Sequence, residues 1–337
     1  MRNFDCRCGA ALFFHSEQCV RCKSATAMCA NCRQVAAVDD LNDGTVQCSN
    51  CGTHMRFCGN RVQNAICNGG VRAESADALC RYCSLNQIVP DLSMPGNREK
   101  WLSIERAKHR VLYDVDRIGF PIITDAGDGR AILRFEFKSS TAEPVTTGHT
   151  SGLITMNIAE ADSVQREQTR VQFGEPQRTL VGHFRHELGH YFWDVCVNPS
   201  RLDEYRQLFG DERNPDYVTA QQQYYSGGPP DDWWTTYVSE YATMHSWEDF
   251  AETFNAYLDM IAIVGTSAHF HRLRVDADVD GGDFQQLLTA YQDIGIVANE
   301  LNRDMGMLDL VPEVFTPPVV QKMRFVHSLR VQPCPQP

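Results

Sequence analysis

The sequence predicts an α+β fold in two parts, a small N-terminal module rich in cysteine and a larger, mostly helical domain with a small sheet. The chain has 337 residues, which exceeds the roughly 250–300 residues that one hydrophobic core usually serves. Twelve of its fourteen cysteines lie between Cys6 and Cys83, and long apolar periodicities begin only beyond them. We therefore predict one domain at 1–90 and a second at 98–337.

Composition and charge exclude several classes of protein. Hydrophobic residues make up 43% and charged residues 22% of the chain, which is typical of folded globular proteins. The segment through residue 90 has nine Lys and Arg against seven Asp and Glu, and the rest has 22 against 36. Neither part has the basic surface that nucleic-acid binding usually needs. No apolar run approaches the roughly 18 residues of a membrane helix, so we expect no membrane span.

The N-terminal cysteines are expected to bind metal. The first residues, MRNFDCRCGAALFF, lack the uninterrupted apolar stretch of a secretory signal peptide, so we expect a cytoplasmic protein. In such a reducing compartment, clustered cysteines bind metals more often than they form disulfides. The segment is also too short for a large core, so bound metal would supply much of its folding free energy.

Ten of the twelve clustered cysteines occur in closely spaced pairs, four of them C-x-x-C and one C-x-C, and Cys58 and Cys67 stand singly between the last two pairs. A two-residue gap lets both thiolates of a tight turn face one ion, and four thiolates complete a tetrahedral zinc shell with no open position. Taken in sequence order, the ligands of three structural zinc sites are Cys6, Cys8, Cys19 and Cys22; Cys29, Cys32, Cys48 and Cys51; and Cys58, Cys67, Cys80 and Cys83. An interleaved, cross-brace pairing remains open.

Other interpretations of the cysteines are weaker. Iron–sulfur clusters are less favoured because the ferredoxin spacings are absent, and buried free thiols would not explain the pairs. His15 and His54 are further candidates that could replace a cysteine ligand, although surface histidines are the simpler explanation.

Apolar periodicity and capping residues predict the elements of the second domain. Trp101, Ile104 and Val111 repeat at helical spacing, and Ser246 and Asp249 have the spacing of a capping box. The predicted elements are a helix over Arg98–Ile118, strands at 131–137 and 153–158, a helix from Gln177 to about Val195, loops at 210–235, a helix from Ser246, and mostly helical structure over 270–337. The second strand could be an edge that pairs with an extended peptide, or equally an ordinary sheet strand.

The helix predicted from Gln177 contains the sequence HELGH, from His186 to His190. Two histidines four residues apart project from the same helical face, so both imidazoles can bind one zinc ion. Glu187 lies beside them, where it can accept a proton from water at that zinc. Apolar residues flank the motif on both sides, which indicates a buried helix. The motif therefore predicts a catalytic zinc site.

A catalytic zinc needs a third protein ligand and an open fourth position. In the segment SWEDFAETF, Glu248 and Glu252 lie one helical turn apart. One carboxylate can bind zinc while the other hydrogen-bonds to a ligating histidine. We assign Glu248 to the metal and Glu252 to the histidine. His245 and Glu240 are the alternative third ligands.

Three further side chains lie near these residues in the sequence. Tyr241, seven residues before the predicted ligand Glu248, could donate to the oxyanion that forms when water attacks a carbonyl. Asp194 could orient a ligand or simply lie at the helix end. His183 is expected to be an ordinary, hydrogen-bonded helix histidine.

These motifs resemble the zinc-binding metallopeptidases that carry an N-terminal zinc-ribbon domain. The similarity covers most of the chain, in the stretches CGAALFF, LCRYCSLNQIVPDLSMPGN, WLSIERAKHRVLY, HELGHYFWD, SWEDFAETF and LVPEVFTPPVVQKMRFVH. The resemblance implies a zincin-like domain of the gluzincin type, with His186, His190 and Glu248 as zinc ligands and Glu187 as general base.

A second resemblance supports the choice of Glu248 as ligand. The order Tyr241, Glu248, Glu252 is similar to that of lethal-factor-type gluzincins. There the tyrosine assists catalysis, the first glutamate binds zinc and the second supports it. In one respect the chain departs from its family, whose ribbon region usually has eight cysteines. Those from Cys29 to Cys51 look like an added ribbon, which favours grouping these four on one ion and suggests an additional partner surface.

We therefore expect a zinc-dependent metalloendopeptidase that hydrolyses peptide bonds with one catalytic zinc and carries three structural ones. The ribbons would recruit a protein or peptide substrate or a partner, such as a ubiquitin-like protein tag; nucleic acid is not expected. The alternative is a ribbon protein that binds a tag or a nucleic acid and whose protease fold is inactive or secondary. Residues from about Arg98 onward are expected to fold without the ribbons.

Overall fold

A computed structural model describes residues 3–125, 127, 129–140, 145–173, 178–197, 201–269 and 278–331, and at 169 and 171–173 the backbone alone. The predicted helix start at Gln177 and two parts of the predicted helical region, 270–277 and 332–337, lie outside the described residues. Short strands come first along the chain and long helices later, which confirms the predicted α+β class.

Short antiparallel strands build the N-terminal module. Its elements are β1 (Phe4–Asp5), β2 (Ala11–Leu12), β3 (Thr26–Met28), β4 (Val35–Asp40), β5 (Val46–Cys48), β6 (His54–Phe57), α1 (Gly59–Asn64) and β7 (Gly70–Arg72). β1 pairs with β2, and the other strands form one sheet in the order β3-β4-β5-β6-β7. Small apolar clusters that include Leu12, Val35 and Met55 fill the spaces between the strands.

The second domain contains a four-stranded sheet in the order β10-β11-β9-β8. Its strands are β8 (Asn86–Ile88), β9 (Arg134–Lys138), β10 (Gly148–Thr150) and β11 (Leu153–Asn157). β9 runs parallel to β8 and β11, whereas β10 is antiparallel to β11. Of the two possibilities for 153–158, an edge that pairs with an extended peptide or an ordinary sheet strand, the structure shows the second, because β10 folds back as a hairpin and covers the free side of β11. β10 and β8 are the edges.

Helices pack around this sheet and against one another. They are α2 (Asn97–Arg117), α3 (Ser163–Phe173), α4 (Leu180–Phe192), α5 (Leu202–Phe209), α6 (Tyr217–Gly227), α7 (Ser246–His269), α8 (Phe284–Asp304) and α9 (Pro317–Ser328). α4 lies between α2 and α7, and Leu112, Phe184 and Phe254 from these helices are fully buried in one core. Among the described residues, no helix has both the length and the hydropathy needed to cross a membrane.

Gly189, inside the HELGH sequence, lets α4 and α7 approach closely. A Cβ atom at this position would lie 2.7 Å from Cα of Ala251 on α7, which is too short for a real contact between carbon atoms. The glycine therefore brings the helix with the two histidines against the helix with the two glutamates.

Two segments of the second domain differ from the prediction. α4 ends at Phe192 and continues as one π-helical turn, Trp193–Val197, instead of an α-helix to about Val195. The stretch at 210–235, predicted as loops, contains α6, whose start is capped by Asp216. The α6 sequence, YVTAQQQYYSG, has no apolar stripe at helical spacing, so periodicity does not reveal it.

Packing and hydrogen bonds cross the predicted border between the domains. β8 lies within the predicted ribbon module, yet it pairs with β9 of the second domain. Ile66, Tyr82 and Leu85 also belong to the core of the second domain. A fragment that begins at Arg98 would lack an edge strand and part of this core, so the fold gives no support to the expected independence from the ribbons.

Candidate metal centres and active site

The twelve clustered cysteines fold into three groups of four in sequence order, and the sulfur atoms of each group lie within 4.8 Å of one another. The interleaved pairing that the spacing left open is not observed. In the first group the Sγ–Sγ distances are 3.6 Å for Cys6 and Cys22 and 3.7 Å for Cys8 and Cys19. In the second group the corresponding pairs are 3.6 and 4.0 Å apart, and in the third one such distance is 3.6 Å.

These distances fit a bound zinc ion. A Zn–S bond of about 2.3 Å and tetrahedral angles place neighbouring sulfur atoms about 3.8 Å apart. A disulfide would require about 2.05 Å, and all twelve cysteines are free. Four sulfur ligands close the coordination sphere, so each group is suited to a structural ion. His15 and His54 belong to none of the metal-ligand groups found among the described residues.

The third cysteine group lies at the junction of the two domains. All four of its members are buried, whereas the first and second groups each have one exposed cysteine, Cys22 and Cys51. Nε2 of His109 on α2 lies 3.5 Å from Sγ of Cys83 and 3.1 Å from a carboxylate oxygen of Glu105. Because this histidine contacts both a cysteine of the module and a helix of the second domain, it connects the two.

α4 presents the two motif histidines side by side. The helix starts after Thr179, whose hydroxyl accepts a hydrogen bond from the amide of Gly182. Four residues of helix bring His186 and His190 onto one face, with their Nε2 atoms 3.2 Å apart. The two lone pairs can therefore meet at a single ion.

α7 brings Glu248 to the same place. Nδ1 of His245 accepts a hydrogen bond from the amide of Trp247 at 3.1 Å, which caps the helix start and leaves Glu248 in the first turn. Oε2 of Glu248 lies 3.0 Å from Nε2 of His186, and Oε1 lies 3.4 Å from Nε2 of His190. The sequence placed these residues about sixty positions apart, and the fold brings them together.

The three side chains fit a zinc ion. Ligand bonds of about 2.0–2.1 Å at tetrahedral angles separate nitrogen and oxygen donors by about 3.3–3.4 Å, close to the distances observed here. Oε2 of Glu248 is buried and has no hydrogen-bond partner among the described residues. A buried carboxylate oxygen without a donor is costly unless a cation satisfies it. His186, His190 and Glu248 therefore could hold zinc and leave the fourth position open.

Glu252 orients the first histidine. Nδ1 of His186 donates to Oε1 of Glu252 at 2.7 Å, so the proton of the neutral ring lies on Nδ1 and the Nε2 lone pair is free for metal. Oε2 of Glu252 accepts from the hydroxyl of Ser239 at 2.8 Å, and that hydroxyl accepts from the amide of Ala242 at 3.1 Å. This chain links the histidine to the turn Tyr241–Thr243.

Glu187 is the buried carboxylate next to the two histidines. Its side chain is only slightly exposed, and its Oε2 atom has no hydrogen-bond partner among the described residues. Burial raises the pKa of Glu187, and the neighbouring histidines oppose the increase. A carboxylate with a raised pKa and a free oxygen is suited to accept and return a proton.

Two tyrosines approach the site from the side of α7. The ring of Tyr241 lies 6.1 Å from that of His186, and burial, followed by the charge of Glu248, raises the pKa of Tyr241, so its phenol stays protonated at neutral pH. Tyr217, at the start of α6, donates its hydroxyl proton to Oε1 of Glu248 at 2.9 Å.

The remaining candidates have other partners. Glu240 is exposed and belongs to no metal-ligand group, and Nε2 of His245 donates to the carbonyl of Glu212 at 3.1 Å, so neither alternative third ligand reaches the metal position. His183 contacts Glu160, as expected for an ordinary helix histidine. Asp194 lies 3.8 Å from Nε2 of His149.

Three residues near the site were not predicted from the sequence: Tyr217, Ser239 and His149. The ring of His149, on the edge strand β10, stacks on that of His190 with centroids 6.4 Å apart. Burial and, to a lesser extent, the neighbouring His190 lower the pKa of His149 to about 3, so the ring is neutral. None of the three belongs to a recognisable motif. Only the tyrosine-rich composition of 217–241 indicates that this stretch is unusual.

Comparison with known proteins agrees with this geometry. Residues 97–329 match the family described as "Putative zinc-binding metallo-peptidase", and residues 3–94 match a zinc-ribbon domain. "Uncharacterized protein Mb2598c" of Mycobacterium bovis and "Uncharacterized protein Rv2568c" of Mycobacterium tuberculosis are each 35% identical over 337 residues, which cover 98% of this chain and 95% of each relative. No solved structure matches the chain significantly. The family match covers more than half of the chain, and this protein therefore belongs to the zinc-binding metallopeptidase family, with a zinc-ribbon domain at its N-terminus.

Proposed function

We propose that the protein is a zinc-dependent metalloendopeptidase of the gluzincin type. The observation that supports this most is the cluster of His186, His190 and Glu248, with donor atoms 3.0–3.4 Å apart beside the buried Glu187. Three protein ligands leave a coordination position for water or substrate, as a catalytic site needs and a four-cysteine site cannot offer.

Each of the site's residues would have a separate role in the reaction. Zinc, when bound, supplies a Lewis acid that polarises a carbonyl and lowers the pKa of water. Glu187 accepts the proton of the attacking water and returns it to the leaving amine. Tyr241 donates its hydroxyl to the oxyanion that forms at the scissile carbonyl. Glu252 holds the ring of His186 in the tautomer that keeps Nε2 free.

We propose three structural zinc ions, one in each cysteine group, and a recruiting role for the ribbons. Zinc ions that are bound by four thiolates have no position for water and cannot activate it, so their contribution is to shape a surface. The first and second groups lie in the part of the chain that contributes least to the peptidase core. A protein substrate, or a protein tag attached to one, is the class of partner proposed for that surface, since the N-terminal segment has no basic excess for nucleic acid.

The test measures hydrolysis of an unfolded protein mixture by the zinc-loaded chain, with new N-termini identified by mass spectrometry. Glu187→Gln should lower the rate by about 10²–10⁴-fold, the usual contribution of a general base. It should retain its zinc, because Glu187 is not a ligand. Glu240→Gln is the matched control, since this nearby glutamate is exposed and should be dispensable.

Two results would contradict the proposal. One is a Glu187→Gln chain as active as the unaltered protein, which would assign the hydrolysis to a contaminant. The other is an unaltered chain with full zinc content that cleaves no unfolded protein, which would favour the alternative of a binding protein with an idle protease fold.

A further inference from the structure

Tyr217 is held against the metal ligand Glu248 at both its ring and its hydroxyl. The hydroxyl donates to Oε1 of Glu248 at 2.9 Å. The ring lies edge-on to His245, with centroids 5.3 Å apart, and 6.0 Å from Trp247. His245 caps the start of α7 and Trp247 lies in its first turn, so the tyrosine is fixed to the same helical turn that carries the ligand. Its position relative to the carboxylate is therefore well defined.

The two oxygens of Glu248 have different surroundings. Oε1 has the phenol of Tyr217 as donor, whereas Oε2 is buried without a hydrogen-bond partner among the described residues. Oε2 is also the oxygen that lies 3.0 Å from Nε2 of His186. Oε1 in turn lies 3.4 Å from Nε2 of His190, so both oxygens face the two imidazoles, and the hydrogen bond of Tyr217 engages only Oε1. Without it, both oxygens would be available to the same ion.

Tyr217 also interacts with the second tyrosine of the site. It lies close enough to Tyr241 to contribute, after burial and the charge of Glu248, to the raised pKa of that phenol. A phenol has one proton, and Tyr217 uses it for Glu248. Tyr217 is therefore unable to donate to a substrate oxyanion without releasing the ligand, whereas Tyr241 can turn its proton to one.

The helix that carries Tyr217 contributes little to the core. Ala220 is its only buried residue. The helix begins after the cap at Asp216 and ends at Gly227, directly before Gly228. Hydrophobic burial therefore does not explain why α6 lies at this place. The contact of its first residue with the metal site offers an explanation.

We propose that Tyr217 is a positioning residue that keeps Glu248 a one-oxygen zinc ligand. A carboxylate that bound through both oxygens would fill a further coordination position, and the site would lose the opening that water and substrate need. The proposal rests on the proposed function of the site, which supplies the zinc. In this proposal Tyr217 acts on the ligand Glu248, whereas Tyr241 acts on the substrate.

The experiment measures zinc affinity at the fourth site by competition with a chelator, followed by elemental analysis. A His186→Ala chain gives the baseline of the three cysteine sites, so the zinc above that baseline belongs to the site of Glu248. Tyr217→Phe removes the hydroxyl and keeps the ring and its packing. Loss of an outer partner of a metal ligand typically weakens affinity about 10–100-fold, and we expect a change in that range. Tyr225→Phe, on the exposed side of α6, is the matched control.

A second readout separates the two tyrosines. Tyr241→Phe should keep zinc affinity within about twofold of the unaltered chain and lower kcat, whereas Tyr217→Phe should lower affinity. A crystal structure of zinc-loaded Tyr217→Phe should show both oxygens of Glu248 on the metal. Unchanged affinity in Tyr217→Phe, or a lower kcat with zinc fully retained and Glu248 still bound through one oxygen, would overturn the proposal.

These measurements distinguish the inference from the proposed function. An unaltered chain that binds a fourth zinc but hydrolyses no peptide contradicts the peptidase function and leaves the affinity comparison intact. An unaltered chain that binds no more zinc than His186→Ala overturns the role of Tyr217 together with the site itself.

Discussion

Glu248 and Glu252 lie one turn apart on α7, yet they meet different partners. Glu248 faces the Nε2 atoms of both histidines, and Glu252 accepts a hydrogen bond from Nδ1 of His186. The difference arises because Glu248 lies on the Nε2 side of the His186 imidazole and Glu252 on the Nδ1 side. A ligand and an orienting group have different energetic consequences when removed.

Glu248→Ala should remove most of the zinc affinity of the fourth site, since the ion loses one of three protein ligands. Glu252→Ala should lower it by only about 10–100-fold, as is typical for a partner of a ligating histidine. Chelator competition on the two variants measures the difference, and the zinc of the cysteine groups serves as an internal reference. If Glu252→Ala loses more zinc than Glu248→Ala, the two roles assigned here are reversed.

Local spacing explains why some site residues could be predicted and others could not. His186, Glu187 and His190 follow from the geometry of one helix, and the pair at Glu248 and Glu252 follows from another. Tyr217 reaches Glu248 from 31 positions away, at the start of a helix with no apolar stripe. Its contact depends on how α6 lies against α7, which no repeat in the sequence encodes.

At the scale of elements, the close contact of α4 and α7 determines whether the two halves of the metal site meet. A Cβ at Gly189 would lie 2.7 Å from the backbone of Ala251. We expect Gly189→Ala to push the helices apart at a cost of about 1–3 kcal/mol, the usual range for overpacking. Each kcal/mol of lost stability lowers the thermal unfolding midpoint by about 2–4 °C, so the midpoint of Gly189→Ala should fall. Its zinc affinity should fall as well, because the two helices hold the two halves of the metal site.

Gly227→Ala provides the matched control. It is the same substitution in a helix, at a position where a Cβ would meet nothing within 4 Å. Its unfolding midpoint should not decrease, since alanine favours a helix more than glycine does. An equal loss of stability in both variants would show that the substitution, rather than the contact between helices, is responsible.

The third cysteine group is expected to stabilise the peptidase domain as well as the ribbon module. Its members are all buried, and Cys83 lies against His109 of α2. Cys67→Ser should therefore lower the unfolding midpoint of the peptidase domain, whereas Cys32→Ser, in the second group, should affect it much less. All five tryptophans lie beyond residue 97, so their fluorescence reports on the peptidase domain alone. Equal midpoints for the two variants would contradict this coupling.

The elements that sequence reasoning missed are short or weakly patterned. β8 has three residues within a Pro-containing stretch, and it becomes a strand only because β9 offers an edge to pair with. β10 likewise decides between the two possibilities for 153–158, because its pairing with β11 makes that segment an inner strand instead of an edge. The long helices α2 and α7, by contrast, have apolar faces that their periodicity reveals.

On the scale of the whole molecule, the metal sites with four cysteine ligands and the site with three protein ligands occupy different regions of the chain. The N-terminal segment holds three groups of four thiolates, and the remainder, with 22 basic and 36 acidic residues, holds the group with three protein ligands. The domains nevertheless share a sheet and a core at their junction. We therefore expect the ribbons to present substrate to a peptidase domain that depends on the third of them for its stability.

The zinc content of the chain tests the account most directly. Elemental analysis of the zinc-replete protein should give four zinc ions per chain, and His186→Ala combined with His190→Ala should give three, because the cysteine groups share no ligand with the fourth site. The same zinc content in both proteins, two or fewer zinc ions in the unaltered chain, or iron with sulfide in place of zinc would contradict the account.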